Sequence, residues 1–162
     1  MEEELGRVLQ RGLLVDCNLK ACGAVIYSKK TNRVLFLLRN TDRYTDTWGL
    51  AGGKVEGNET VIDALHRELI EEINFDISDV KVVPLELFTS KDNKFQYHTF
   101  VCIVNEEFIP ELNDEHKGYC WCNINSYPKP LHPGLWSSWS NKEIKKRLAT
   151  LQSVLKVTEY ND

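Results

Sequence analysis

The stretch GKVEGNETVIDALHRELIEEINF, Gly53–Phe75, decides how the chain is read. Its second half sets Glu68, Glu71 and Glu72 three and four residues apart, so their side chains share one face of a helix. Like charges at that spacing repel and weaken a helix modestly. Ile62, Leu65, Leu69 and Ile73 recur at three and four residues, the apolar stripe of an amphipathic helix beginning near Glu59. Asn58 or Thr60 can cap its start, and Glu59 suits the positive end of the helix dipole. A solvated face with Arg67 compensating some charge would account for three glutamates by themselves. It does not account for the glycines placed just ahead of them.

Three carboxylates on one helical face become stable together when a divalent cation sits between them. Magnesium is a hard ion that prefers oxygen and keeps several waters, which leaves positions open to the oxygens of a phosphate. Gly52 and Gly53 let the backbone pass close to such an ion or phosphate, since no Cβ intervenes. A helix starting just beyond them presents free backbone N–H groups. These parts converge on metal-assisted phosphate chemistry.

The segment resembles the signature box of the Nudix hydrolases, G-x5-E-x7-R-E-(apolar)-x-E-E-x-G-(apolar). It matches at Gly53, Glu59, Arg67, Glu68, Leu69, Glu71, Glu72 and Phe75. Asn74 stands where the family has its second glycine; after Gly, Asn best tolerates the left-handed position that closes a helix. TWGLAGGKVEGNE is similar to the family's W-x-x-P-G-G approach, with Ala51 where proline is common. NDEHKGYCW resembles a later family stretch in which an acidic loop precedes a strand carrying a tryptophan.

The resemblance implies an α/β fold, a Nudix-like α/β/α sandwich around a central mixed sheet, with residues 1–162 forming a single domain. It also implies metal-dependent hydrolysis, at phosphorus, of a nucleoside diphosphate linked to another moiety. Glu71 and Glu72 would be metal ligands, Glu68 a ligand or the base, and the backbone carbonyl of Gly52 a further ligand. The ion would be Mg2+, with Mn2+ as an alternative. Arg67 and Glu59 would pair with each other or with the glutamates and orient them.

Weaker candidates stand around this set. Arg39, Lys54 and Arg43 are cations within reach of a phosphate or simply solvated. Trp48 and Tyr44 either stack a base or pack. Glu115, in the acidic loop, is a base, a supplementary ligand or a bystander. His98 and His116 are expected to play no catalytic part. The partner implied is a small-molecule nucleoside diphosphate derivative; a capped RNA end is the one nucleic acid in keeping with it, and a homodimer is compatible. Two alternatives stay open. DEHKGYCW resembles the GDP-mannose branch, which makes a GDP-sugar hydrolase one of them. The other is a Nudix-like regulatory module without turnover.

Bulk properties agree with a soluble enzyme. A chain of 162 residues fits one domain, and 42% hydrophobic with 27% charged residues is the balance of a globular protein. A net charge of -4 excludes a general polyanion binder, so an anionic ligand must be held by a few local cations or a metal. No apolar run approaches the ~18 residues of a membrane span, and the acidic start MEEELGRVLQ argues against a signal peptide. Five scattered cysteines point to free thiols in a reducing compartment, the cytoplasm. Cys120 and Cys122 are poorly spaced for zinc and alternate with Tyr119, Trp121 and Asn123, as buried thiols on a strand would.

Elsewhere, ACGAVIYS and RVLFLLR read as strands joined in a hairpin by KKTN, and DRYTDTWGLAGGK reads as a loop. VKVVPLELFTS and KFQYHTFVCIVNEEF read as strands across KDN, and GYCWCNI as a short strand. SYPKPLHPGLWSSWS reads as a connection before a C-terminal helix that carries Ile144, Leu148, Leu151 and Leu155 on one side.

Overall fold

A computed structural model describes residues 19–161, with side chains up to residue 155. The reading of the N-terminal leader, and Cys17, lie outside the described residues. The first hairpin forms as expected: β1 (Leu19–Ser28) and β2 (Arg33–Arg39) meet at Tyr27–Val34 and Ser28–Arg33, with Asn32 in the turn at φ 58°. The segment read as a loop contains two short strands, β3 (Trp48–Gly49) on β2 and β4 (Ala51–Lys54) on β1. Two to four residues rich in glycine carry no period, so pairing with longer strands creates these elements. β5 (Lys81–Thr89) and β6 (Phe95–Val104) are antiparallel, β7 (His116–Asn123) pairs with β2, and β6 runs parallel to β1 along its whole length. The result is a mixed seven-stranded sheet along the path β3-β2-β1-β6-β5.

Helix α1 (Val61–Ile73) covers one face. Thr60 caps it by accepting from the Asp63 N–H at 3.1 Å, and Asp63 reaches back to the Thr60 N–H. Ala64, Leu65, Leu69 and Ile73 are buried against Cys22, Ala24, Leu35 and Leu37 of the sheet, each large side chain contributing about 1.5–3 kcal/mol. Ile62, expected in this stripe, is 44% exposed, because the buried face is centred between Leu65 and Glu72. The inward position at the end of the face is thus held by a carboxylate.

The opposite face carries α2 (Pro133–Trp139) and α3 (Lys142–Asn161). α2 lies within the stretch read as a connection. Pro133 fits its first turn, and the His132 ring Nδ1 accepts from the Gly134 N–H at 3.0 Å. Trp139, Leu135, Ile144 and Leu148 bury a second core with Val25, Phe36 and Val101. Cys120 and Cys122 pack partly buried against this core with Sγ atoms 3.6 Å apart, while Trp121 points to the other face. Helices on both faces of a mixed sheet make the α/β/α sandwich.

Asn74 closes α1 in the left-handed conformation, φ 52° and ψ 42°, its N–H shared by the carbonyls of Ile70 and Leu69. Asn74→Val should cost about 1–2 kcal/mol in urea unfolding, while Asn74→Gly should stay within about 0.5 kcal/mol of wild type. Equal stability of the Val and Gly variants would refute the left-handed cap.

Candidate active site

The glycine pair sets the distance between β4, β1 and α1. A Cβ on Gly52 would overlap the Cys22 carbonyl of β1, and one on Gly53 would overlap the Glu68 carboxylate, whose Cδ would stand 2.5 Å away. Because neither exists, the Gly52 N–H donates to Glu72 Oε2 at 2.6 Å. Glu72 is 4% exposed, and its carboxyl is pushed up to about 9, first by burial and then by the nearby Glu115 and Glu68 carboxylates; the Gly52 N–H opposes this. Burial likewise raises Glu68, against the pull of Arg67.

Arg67 organises the outer rim. Its Nε and Nη2 donate to Glu59 at 2.8 and 3.0 Å, a bidentate pair that holds Glu59 below the usual carboxylate range. Its Nη1 donates to Glu68 at 2.9 Å and Glu71 at 3.4 Å, and Nη2 also reaches the Lys54 carbonyl at 2.9 Å. Glu115 arrives from the loop before β7. Asn113 laces that loop to the end of α1, donating from Nδ2 to the Glu71 carbonyl at 3.1 Å and accepting from the Glu115 N–H at 3.0 Å. The Glu115 carboxyl lies within hydrogen-bonding reach of Glu72. Asp114, its neighbour, contributes a carbonyl to the Asn40 side chain at 3.2 Å.

Four carboxylates, Glu68, Glu71, Glu72 and Glu115, thus converge, and Arg67 is hydrogen-bonded to the first two of them. Their hard oxygens, with Glu72 raised by burial and by its carboxylate neighbours, suit a hard divalent ion in chemical type. Among the described residues no three His, Cys, Asp or Glu side chains already form a coordination shell, since Glu68 and Glu71 are engaged by Arg67. Glu71 is about half exposed, so it can turn toward an ion at little cost.

Beside the carboxylates lies a cleft of about 700 Å³, whose lining includes Arg39, Arg43, Lys54, Gly52 and Gly53. Arg39 Nη2 donates to Thr41 Oγ1 at 3.0 Å, while its Nε is buried without a partner. The Tyr44 ring meets His132 edge-on at 4.6 Å and lies 5.5 Å from the Arg43 guanidinium. Burial, and then Arg39 and Arg43, lower the His132 pKa. His116 is pushed down to about 4 by burial, so it is neutral at pH 7. Trp48 is not among the lining residues: its N–H and C=O bridge to Pro130 and His132, and its ring packs partly buried on the second core. Tyr97, Glu86, His132 and Ser138 line the cleft without any sequence signal, because they come from separate elements.

The chain matches the NUDIX domain over residues 18–140. It belongs to the Nudix family and is a Nudix hydrolase; hydrolases of this family generally use a divalent metal. A dihydroneopterin triphosphate diphosphatase from Haemophilus influenzae is 38% identical over 144 residues, covering 79% of this chain and 86% of that protein. The enzyme of the same name from Escherichia coli K12 is 29% identical over 133 residues, 74% of this chain and 84% of that one. Among solved structures, a Nudix hydrolase from M. smegmatis shares the fold with a TM-score of 0.65 at 21% identity, covering 85% and 87% of the two chains. The E. coli dihydroneopterin triphosphate pyrophosphohydrolase does so at 0.59 and 24%, covering 81% and 95%. No described helix is long and apolar enough to cross a membrane.

The raised Glu72 carboxyl has a consequence for stability. Its folded value, about 9, exceeds the ordinary 4.5, so its contribution is fully present below about pH 4.5 and is lost as pH rises toward 9. In EDTA, Glu72→Gln should therefore match wild type near pH 5 and exceed its Tm increasingly toward pH 9. Parallel Tm profiles for the two proteins would show that Glu72 titrates normally.

Proposed function

We propose that this chain cleaves the phosphoanhydride of a triphosphate carried by a flat heterocycle, giving the monophosphate and pyrophosphate. The observation that carries the proposal is that Gly52 and Gly53, which touch Glu72 and Glu68, also line the cation-bearing end of an aromatic-walled cleft. The likeness to the Haemophilus influenzae dihydroneopterin triphosphate diphosphatase supports the choice of a triphosphate.

Glu68, Glu71, Glu72 and the Gly52 carbonyl would hold Mg2+ or Mn2+. When bound, the ion draws charge from the phosphoryl oxygens and acidifies water. Arg67 keeps Glu68 and Glu71 aligned through its fork to Glu59. Arg39 and Lys54 bind the phosphates, and the buried Arg39 Nε is a donor in want of an acceptor. Trp48 supports the cleft by packing. Glu115, reaching the cluster from the loop laced to the end of α1, takes the proton of the attacking water. A new P–O bond forms from that water, the bridging P–O bond breaks, and pyrophosphate leaves with the electron pair.

The test is a panel of dihydroneopterin triphosphate, dNTPs, ADP-ribose, NADH, GDP-mannose, diadenosine polyphosphates and capped RNA, each with Mg2+ or Mn2+. Pyrophosphate should be released from the triphosphates first; turnover of GDP-mannose alone would overturn the reading. Glu72→Gln should lower kcat by about 100-fold or more while circular dichroism stays native. Glu115→Gln should lower kcat with an unchanged magnesium midpoint if it is the base; a raised midpoint would make it a ligand.

A further inference from the structure

The cleft has a second polar feature, far from the glutamate cluster. β5 is regular up to Pro84, which pairs with Phe100, but its register shifts before Glu86, which pairs with Thr99. Leu85 is the extra residue of a β-bulge. The shift reverses the parity of the strand. Val82, before it, packs on the α1 face, whereas Glu86 and Phe88, after it, line the cleft on the opposite face. The Leu85 carbonyl released from the ladder accepts from Arg147 Nη1 of α3 at 2.8 Å, so the bulge is held in place.

Glu86 is half-buried, and its Oε1 accepts from Ser138 Oγ of α2 at 2.6 Å. Among the described residues no cation pairs with it, and Oε2 accepts no hydrogen bond. The rings of Phe88, Phe95 and Tyr97 stand beside it in steps of 6.5 Å and line the same cleft. Arg39 lies on β2, three strand spacings away, about 14 Å. One end of the cleft is therefore cationic, and the other offers a fixed carboxylate among aromatic rings.

A partly desolvated carboxylate with a free oxygen is suited to two adjacent N–H donors on a flat ring. Building on the triphosphate reading above, we infer that Glu86, oriented by Ser138, reads the amino-oxo-pyrimidine edge of the substrate, with its ring N–H and exocyclic NH2. Pterins and guanine share that edge. Hypoxanthine keeps the ring N–H and lacks the NH2, and adenine has neither arrangement.

The experiment compares kcat/KM for dihydroneopterin triphosphate, GTP, ITP and ATP in wild type, Glu86→Gln and Ser138→Ala. Glu86→Gln should lower kcat/KM for the first two by about 10- to 100-fold and for ATP by less than about 2-fold. Ser138→Ala should shift the same ratio in the same direction by a smaller factor. The ratio of dihydroneopterin triphosphate to GTP in wild type tells which ring the cleft prefers. An equal loss on all four substrates, or no loss, would overturn the assignment. If wild type hydrolyses none of them, the triphosphate reading fails separately, and calorimetry with GMP and IMP still decides on Glu86. GMP should then bind about 10-fold tighter than IMP in wild type and equally in Glu86→Gln; equal binding in wild type would refute the inference.

Discussion

A carboxyl group turned into the buried face of a helix must find donors there or keep its proton, and Glu72 finds one donor, the Gly52 N–H. That contact depends on two glycines whose missing Cβ atoms allow β4 to lie against the Cys22 carbonyl and the Glu68 carboxylate together. It ties the strand to the helix and brings Glu68, Glu71 and the loop carboxylate of Glu115 toward one spot. The charge this gathers is only partly offset by Arg67, which is also occupied by Glu59. The fold therefore gathers more carboxylates at this spot than Arg67 pairs with.

The sheet distributes the remaining chemistry. Cations come from β2, β4 and the loop after β2, whereas the rings and Glu86 come from β5 and β6 at the other side of the cleft. Both sets face the same side because β1 and β6 run parallel in continuous register between them and because the bulge at Leu85 reverses the parity of β5. Helices α2 and α3 roof the cleft and anchor the bulge through Arg147 and Ser138. A molecule with a charged tail and a flat head would match this polarity, with strands of one sheet presenting the groups for both ends.

Much of α1 was legible before folding, since carboxylates, apolar residues and cap signals within Gly53–Phe75 act over one to eight residues of chain. Asn74 in the left-handed cap and the Arg67–Glu59 pair are of this kind. The hairpin of β1 and β2 was equally local. Ile62 marks where periodicity overreached: the stripe includes it, but docking on the sheet rotates the buried face toward Glu72. β3, β4 and α2 were not legible, because elements of two to seven residues exist through the partners they pair with.

The sequence by itself determined the family, the helix and its carboxylates, because these rest on spacings of eight residues or fewer. Tertiary structure decided which of Asp114 and Glu115 reaches Glu72, that Trp48 packs while Tyr44 lines the cleft, and that Glu86 meets Ser138 across 52 residues. Such choices follow from strand register and loop closure. A shift of one residue turns every following side chain to the other face, and no local pattern in β5 announces the shift at Leu85.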